Sequence, residues 1–242
     1  LAPFRMLNLV RDAFTLVGAL GHQSVRAVVG HDFGASVAAW SALVRGDFFQ
    51  AVALMSAPFA GPPGPGALGM PADIDVELAK LARPRKHYQR YYSTRPANAD
   101  MWHCQQGVHR FLRAYFHHKS ADWPGNRPFP LKSWAAEEVA QMPTYYIMDA
   151  GQTMAETVAA EMPSPDAIAL CHWLSDTELK VYSDEYQRTG FQGGLQWYRT
   201  RFDPTVNADL GLFSGRRIDV PALFIAGASD WGIHQSPGAF ER

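Results

Sequence analysis

The stretch Gly30-His31-Asp32-Phe33-Gly34-Ala35-Ser36 decides how this chain of 242 residues is interpreted. It follows an apolar run at residues 25–29 and precedes a run of helix type at residues 37–44. We therefore predict a strand, a sharp turn with glycine on both sides, and a helix. Such a turn holds its central side chain in a strained conformation at the end of a strand, where a nucleophile is presented. Here that side chain is the carboxylate of Asp32.

The two glycines and the following helix each have an expected role in this turn. A Cβ at Gly30 or Gly34 is expected to crowd the space between strand and helix. The amides at the start of the helix would favour the ionised form of Asp32 and any oxyanion formed on it. The alternative interpretation is an ordinary strand-to-helix turn in which Asp32 caps the helix.

Composition limits the classes of function. With 47% hydrophobic residues the chain can bury a core, and its net charge of −1 with scattered basic residues argues against nucleic-acid binding. Only two cysteines occur, Cys104 and Cys171, so we expect no disulfide framework and a reducing, cytoplasmic location. No apolar run approaches the roughly 18 residues that would span a bilayer, so no membrane partner is expected.

The first periodic segment predicts a helix. Leu7, Val10, Phe14, Val17 and Leu20 recur at intervals of three and four, which is typical of one buried helix face. The predicted helix ends near residue 21, a glycine.

Two further strands are predicted, at residues 50–55 and 220–227. A helix between the first two strands makes a parallel unit, so the fold class is α/β with a mainly parallel sheet. The Gly- and Pro-rich residues 61–66 break this pattern, and residues 73–200 are rich in aromatic residues and helix formers, for example at 101–118. We predict core segments at 1–60 and 201–242, with a mostly helical insertion at 61–200.

Asp230 comes a few residues after the third predicted strand. The carboxyl ends of parallel strands meet at one edge of a sheet, which is also the edge to which Asp32 belongs. Asp230 is therefore the candidate charge partner in the site. The alternative is a loop aspartate that caps the next turn.

At this point the sequence resembles the α/β-hydrolase superfamily and, within it, the epoxide hydrolases that use an aspartate nucleophile under a helical cap. The stretch around Asp32 carries part of the resemblance, and Pro221 to Asp230 resembles the strand that delivers the family's acid. The cap segment 181–199 is similar to the family pattern Tyr…Gly-Phe-x-Gly-x-Leu-x-Trp-Tyr-Arg. The resemblance implies the α/β-hydrolase fold with an inserted helical cap.

The resemblance also implies roles for single residues. Asp32 corresponds to the nucleophile and the amide of Phe33 to one arm of the oxyanion hole, while Trp197 is a candidate substrate-binding residue. Tyr182 resembles one of the two cap tyrosines that hold the epoxide oxygen. Tyr88 resembles the second cap tyrosine. Tyr91 and Tyr92 are close enough in sequence that either could correspond to it instead. For each of these tyrosines the alternative is core packing with a satisfied hydroxyl.

The chemistry of ring opening asks for these residue types. An epoxide has an alkoxide leaving group, so ring opening needs a nucleophile on carbon and a proton donor on oxygen. A carboxylate is ionised at neutral pH, and a tyrosine hydroxyl stays protonated there. The ester formed on Asp32 then needs water activated by a histidine, which Asp230 would orient, and an oxyanion hole.

The sequence departs from the family pattern at both ends. The family's histidine lies beyond the acid, after one more strand, and His234 is too near Asp230 for that place. The family's His-Gly-x-Pro loop lies well upstream of the turn, and only 29 residues precede Gly30. We therefore expect an internal fragment that lacks the first strands and the last strand of the sheet.

Other functions remain open at this point. A haloalkane or haloacid dehalogenase uses the same aspartate, although Phe33 is not the halide-binding Trp or Arg. A non-catalytic ligand-binding relative would keep the pocket and lack turnover. His103, Cys104 and His109 lack a second ligand pair with zinc spacing, so no metal and no cofactor are expected. The expected partner is a small apolar substrate, and the oligomeric state is left open.

Overall fold

The computed structural model describes residues 1–64, 74–203, 205–235 and 237–238. Its strands are β1 (Val28–His31), β2 (Val52–Met55), β3 (Arg85–His87), β4 (Ile147–Asp149) and β5 (Ala222–Ile225). Its α-helices are α1 (Met6–Ala19), α2 (Phe33–Val44), α3 (Ile74–Leu78), α4 (Tyr88–Ser93), α5 (Ala97–Trp102), α6 (Gly107–Lys119), α7 (Ala136–Val139), α8 (Met154–Ala159), α9 (Pro165–Ala169), α10 (Asp176–Thr189) and α11 (Gln192–Arg201). Short 3-10 helices lie at Ala2–Phe4, Ala208–Phe213 and Trp231–Ile233.

The chain divides into two compact units. Unit 1 comprises Leu1–Pro71, Pro128–Lys132 and Asp203–Arg242. Unit 2 comprises Ala72–Arg127 and Ser133–Phe202.

Unit 1 is built on a parallel sheet with the strand order β1-β2-β5. Val28 pairs with Val52, which pairs with Ala222, and the register continues to the row that joins His31, Met55 and Ile225. Helix α2 connects β1 to β2, as predicted for a parallel unit. The carboxyl ends of the three strands therefore lie at one edge, and the residues that follow them share it.

Helix α2 packs closely on this sheet because its inner face consists of small side chains. Ala35, Ala38, Ala39 and Ala42 form one buried cluster with residues of the strands, including Leu54. Alanine lets a helix approach a sheet without loss of packing density. Burial of a Val or Leu side chain in such a cluster contributes about 1.5–3 kcal/mol, so the turn between β1 and α2 is held by the core on both sides.

The face of α1 is covered less completely than its periodicity predicts. Val10 is buried with Trp40 and Leu43, whereas Leu20 is 66% exposed. The helix contacts its neighbours through Met6, Val10 and the ring of Phe14, so its last turn has little to pack against within the described residues. The prediction of a helix is confirmed, and the prediction of a fully buried face is wrong.

Unit 2 contains α3 to α11, together with a two-stranded antiparallel sheet of β3 and β4 that the sequence did not indicate. Each strand is three residues long, too short to show alternation. The segment at 101–118 is interrupted after α5, because Gly107 has a φ of +74° and starts a new helix. Asp73, where the aromatic and helix-rich part of the predicted insertion at 61–200 begins, lies outside the described residues, as do positions 65 and 66 of the Gly- and Pro-rich stretch.

Candidate active site

Asp32 occupies the turn between β1 and α2 with φ +53° and ψ −118°. This is a conformation that a residue with a Cβ rarely adopts, and it costs on the order of 1–3 kcal/mol. The Asp32 amide donates to the carbonyl of Met55 at 3.1 Å, and the Asp32 carbonyl accepts from Ala35 at 3.0 Å. The neighbouring strand and the new helix therefore hold the strained backbone in place.

The side chain of Asp32 does not cap the helix. It makes no hydrogen bond to the first amides of α2, and the residue is exposed. An ordinary capping aspartate would accept such a bond. The capping interpretation is therefore wrong for Asp32, whose carboxylate is presented to solvent from a fixed backbone. Phe33, whose amide was assigned to the oxyanion hole, is the first residue of α2.

The two glycines that flank Asp32 are not equivalent. A Cβ at Gly30 would collide with the backbone of Gly34 and would lie 2.7 Å from the nitrogen of Ala35. A Cβ at Gly34 would meet no atom within 4 Å apart from the backbone of its own helix. The expectation is thus confirmed for Gly30 and wrong for Gly34. The two positions differ because the first turn of α2 packs directly on the strand at Gly30, whereas the Cβ position of Gly34 faces open space.

Asp230 follows β5 at the edge where Asp32 follows β1. Its Oδ1 accepts a hydrogen bond of 2.7 Å from the amide of Gly232 and so caps the 3-10 helix Trp231–Ile233. The capping arrangement weighed against a role as charge partner is therefore present. It fixes the orientation of the Asp230 carboxylate, and a carboxylate has a second oxygen with which to accept a bond.

Ser56 is a residue of this edge that the sequence interpretation missed. It follows β2 with φ +71°, and it is buried. Its position could have indicated it, because Ser56 directly follows β2, and β2 is parallel to the strands that precede Asp32 and Asp230. Its side chain type gave no such indication.

In unit 2, Tyr88 is the first residue of α4 and is only 6% exposed. Its hydroxyl accepts a hydrogen bond of 3.1 Å from Nε2 of Gln89. The ring packs edge-on against Tyr92, Tyr146 and Tyr198. The packing proposed as the alternative role is therefore observed, and it holds the hydroxyl in a defined place.

The other two tyrosines of this segment have environments that suit packing better than proton donation. The hydroxyl of Tyr91 donates to Oδ2 of Asp100 at 3.0 Å, and burial raises the pKa of Tyr91 well above its ordinary value. Burial also raises the pKa of Tyr92, whose ring lies between those of Tyr91 and Tyr198. Tyr88 is buried to the same extent as both, and its role as the second cap tyrosine stays a prediction.

The helix that carries Tyr88 begins at a histidine. His87 caps α4, with its Nδ1 accepting from the amide of Gln89 at 3.3 Å. Burial, with a smaller effect of the Arg201 charge, lowers the pKa of His87 to about 4. The imidazole is therefore neutral at pH 7, as the capping bond requires.

Tyr182 lies in the middle of α10 and is 50% exposed. Its ring touches that of Phe116 edge-on with 5.7 Å between centroids, and its hydroxyl makes no hydrogen bond to any described residue. Burial in a packed core, the alternative considered for Tyr182, is therefore wrong. The Tyr182 hydroxyl is available to a ligand.

Helix α10 is fixed at both ends and on one face. Ser175 and Glu178 form a capping box at its start, and the helix stops at Gly190, where φ is +65°. On its buried face, Oγ of Ser183 lies 3.0 Å from Nδ1 of His109 on α6. His109 thus links α6 to α10 through its contact with Ser183.

Trp197 lies on α11 and is partly buried. Lys119, which the sequence interpretation did not single out, places its ammonium 5.3 and 5.5 Å from the ring centroids of Tyr145 and Tyr146. The ring of Tyr146 in turn packs on Tyr88. Lys119 therefore brings a positive charge close to the rings of Tyr145 and Tyr146.

The remaining sequence candidates are reported briefly. His103 is exposed and stacks on Trp102, and Cys104 and Cys171 are free thiols. In the part of the chain that the structure describes, no three His, Cys, Asp or Glu side chains are grouped as a metal site. A search of the same residues finds no helix with the length and apolar character needed to cross a membrane.

Comparison with known proteins finds similarity to epoxide hydrolases. The chain is 32% identical over 233 residues to epoxide hydrolase A of Mycobacterium tuberculosis, covering 92% of this chain and 59% of that protein. It is 27% identical to epoxide hydrolase B of the same organism, covering 99% of this chain and 67% of that protein. No family model matches the chain.

A solved epoxide hydrolase from an endophytic Streptomyces matches with a TM-score of 0.68 at 29% identity, covering 96% of this chain and 60% of that one. The fold of the chain is accordingly that of an α/β hydrolase. Within that fold, the proteins to which it is similar over most of its length are epoxide hydrolases. It spans about 60% of the length of these relatives.

Proposed function

We propose that the protein containing this chain hydrolyses an epoxide to a vicinal diol through an ester on Asp32. The observation that carries the proposal is the backbone of Asp32, which is held at positive φ with a side chain that does not cap the following helix. Strain of this kind persists only where the surroundings enforce it, and it concentrates at functional sites. The similarity of the chain to epoxide hydrolases supports the same assignment.

In the first half of the reaction, an oxygen of the Asp32 carboxylate attacks a ring carbon and forms a C–O bond. The C–O bond between that carbon and the epoxide oxygen breaks, and its electron pair goes to the oxygen. Tyr182 and Tyr88 donate hydrogen bonds to this oxygen as its charge develops, and a proton completes the alcohol. Each positioned donor is worth about one to two powers of ten in rate.

In the second half, water attacks the carbonyl carbon of the Asp32 ester. A histidine removes a proton from the water, and Asp230 orients this histidine and stabilises its charge. The amide of Phe33 stabilises the oxyanion of the tetrahedral intermediate. When this intermediate collapses, the bond between the carbonyl carbon and the substrate oxygen breaks, and that oxygen takes the proton held by the histidine to become the second hydroxyl of the diol. The Asp32 carboxyl group then loses the remaining proton of the water, which restores the carboxylate. None of the nine histidines of this sequence is assigned to the task.

The proposed substrate is a small apolar epoxide, held in part by Trp197. The aromatic character of unit 2 supports this class, since such side chains favour apolar ligands. We further propose a cytoplasmic location, on the strength of the two free cysteines.

The test uses the full-length protein with styrene oxide as the probe. Replacing the nucleophile, Asp32→Ala, should abolish ester formation and lower diol production by about 10⁴-fold or more. The matched control is Asp12→Ala, which removes an exposed carboxylate of α1 that pairs with Arg11. Rapid quenching followed by mass spectrometry should find one added substrate on the peptide that contains Asp32.

Three outcomes would contradict the proposal. Near-normal diol formation by Asp32→Ala would exclude Asp32 as the nucleophile. Halide release from 1-bromobutane with no turnover of epoxides would identify a dehalogenase. Binding of styrene oxide without ester or diol would identify a non-catalytic relative.

A further inference from the structure

Ser56 shares the strained backbone of Asp32. Among the described residues other than glycine, these two alone have positive φ values, +71° and +53°. They follow neighbouring strands, β2 and β1, at the same edge of the sheet. A serine at positive φ is uncommon, and it persists only where contacts overdetermine it. The contacts of Ser56 therefore show what the strain serves.

Backbone hydrogen bonds of Ser56 and of its neighbour Met55 tie the end of β2 to both strands that lead to the candidate carboxylates. The Ser56 amide donates to the carbonyl of Ile225, the last residue of β5, at 2.9 Å. The residue before it, Met55, accepts the amide of Asp32 at 3.1 Å. Ser56 thus lies between the end of the strand that leads to Asp32 and the end of the strand that leads to Asp230.

The loop after β5 rests on Ser56 through a glycine. A Cβ at Gly232 would lie 2.8 Å from the Ser56 carbonyl oxygen and closer still to its Oγ, so Gly232 packs directly on the serine. The same Cβ would lie 2.9 Å from Oδ1 of Asp230. The Gly232 amide is the group that donates to this oxygen at 2.7 Å. The position of Ser56 therefore sets the position of the amide that holds the Asp230 carboxylate.

We propose that Ser56 is a positioning residue that fixes the Asp230 carboxylate through Gly232. The inference rests on the proposed function, in which Asp230 orients the histidine that activates water. A shift of Asp230 would slow hydrolysis of the Asp32 ester. Ring opening needs no histidine and would keep its rate.

A double-mutant cycle in the full-length protein tests the contact. Gly232→Ala should slow ester hydrolysis about 30-fold and Ser56→Ala about 5-fold, measured in single turnovers of styrene oxide, with ring opening changed less than about 2-fold. The double variant Ser56→Ala/Gly232→Ala should be faster than Gly232→Ala alone, because loss of Oγ relieves part of the collision. The pH profile of ester hydrolysis should also shift to lower pH in Gly232→Ala, since the histidinium loses support from Asp230.

Two matched controls separate positioning from general damage. Ser41→Ala removes another buried hydroxyl, which donates to the Val37 carbonyl within α2. Gly227→Ala adds a Cβ to the same loop, where the nearest atom is Cβ of Asp230 at an ordinary 3.7 Å. Both should leave ester hydrolysis within about 2-fold of the wild type. Equal slowing of ring opening and ester hydrolysis, or effects that simply multiply in the double variant, would overturn the inference.

A second measurement does not depend on activity. Amide hydrogen exchange of the peptide 229–235 should become about tenfold faster in Ser56→Ala and Gly232→Ala and stay unchanged in Ser41→Ala. Unchanged exchange in all variants would overturn the role of Ser56 even if the enzyme is active. Absence of any epoxide turnover in the wild type would contradict the proposed function instead, and the exchange result would then decide the positioning contact alone.

Discussion

The two units place their candidate site residues by different physical means. In unit 1 the positions of Asp32, Ser56 and Asp230 are set by the backbone, through strained φ values and short hydrogen bonds at the ends of parallel strands. In unit 2 the position of Tyr88 is set by the packing of aromatic rings. A side chain added to a backbone-built site must be accommodated by a shift of the backbone, whereas a packed ring can lose one atom at modest cost. Substitutions should therefore have larger effects in unit 1.

The largest effect is expected at the first glycine of the turn. Gly30→Ala places a Cβ against the backbone of Gly34 and Ala35, which cannot move without displacing α2. We expect a loss of about 4 kcal/mol or more in the free energy of unfolding, measured by urea denaturation of the full-length protein.

The control for this prediction is the second glycine. Gly34→Ala enters open space within a helix and should stabilise the protein by about 0.5–1 kcal/mol, as alanine does in helices. Equal destabilisation by both substitutions would show that the two glycines have the same role after all.

The next largest effect is acid sensitivity in unit 2. Burial lowers the pKa of His87 and of His118 to about 4, and His118 is fully buried against Trp123 and Tyr145. Below pH 6.5 these two histidines are protonated in the unfolded chain, but in the folded unit they become protonated only near pH 4. The free energy of unfolding therefore falls as the pH decreases from 6.5 to 4. The loss is on the order of 3 kcal/mol for each histidine.

Replacing His118 by phenylalanine, His118→Phe, should remove about half of this loss. The measurement is the free energy of unfolding at pH 7 and pH 4, with exchange of backbone amides reporting on each unit separately. A pH dependence that is the same in the variant and the wild type would contradict the assignment to His118.

A smaller effect is expected at the exposed cap tyrosine. Tyr182→Phe should slow ring opening by one to two powers of ten, about 1.4–2.7 kcal/mol, because one proton donor is lost. Its stability should change by less than about 0.5 kcal/mol, since the hydroxyl makes no hydrogen bond to the described residues. Stopped-flow single turnovers of styrene oxide measure the first step directly, and an unchanged ring-opening rate would exclude Tyr182 as a donor.

The smallest effect tests packing alone. Tyr91→Phe removes the hydrogen bond to Asp100 and should cost about 1 kcal/mol of stability, with ring opening unchanged. If Tyr91→Phe slowed ring opening tenfold or more and Tyr88→Phe left it unchanged, Tyr91 and not Tyr88 would be the second cap tyrosine.

The sequence alone was sufficient for the strands and α-helices of unit 1 and for the resemblance to epoxide hydrolases. Glycine, apolar runs and a carboxylate at a strand end are local features, and the parallel β1-α2-β2 arrangement follows from them by short-range geometry. The motif around Tyr182 likewise depends on neighbours along the chain. The site roles of Asp32, Asp230, Tyr182 and Tyr88 remain predictions that the experiments above address.

What only the tertiary structure decided depends on contacts between residues far apart in sequence. Three outcomes depended on which atoms lie next to a residue in the folded chain. These are the open space at Gly34, the exposure of Leu20 and the hydrogen bond between Tyr91 and Asp100. Ser56 is the clearest case, because its proposed positioning role depends on contact with Gly232, which lies 176 positions further along the sequence. Periodicity and motifs report on a residue's own element, and steric fit between two strand ends exists only once the chain has folded.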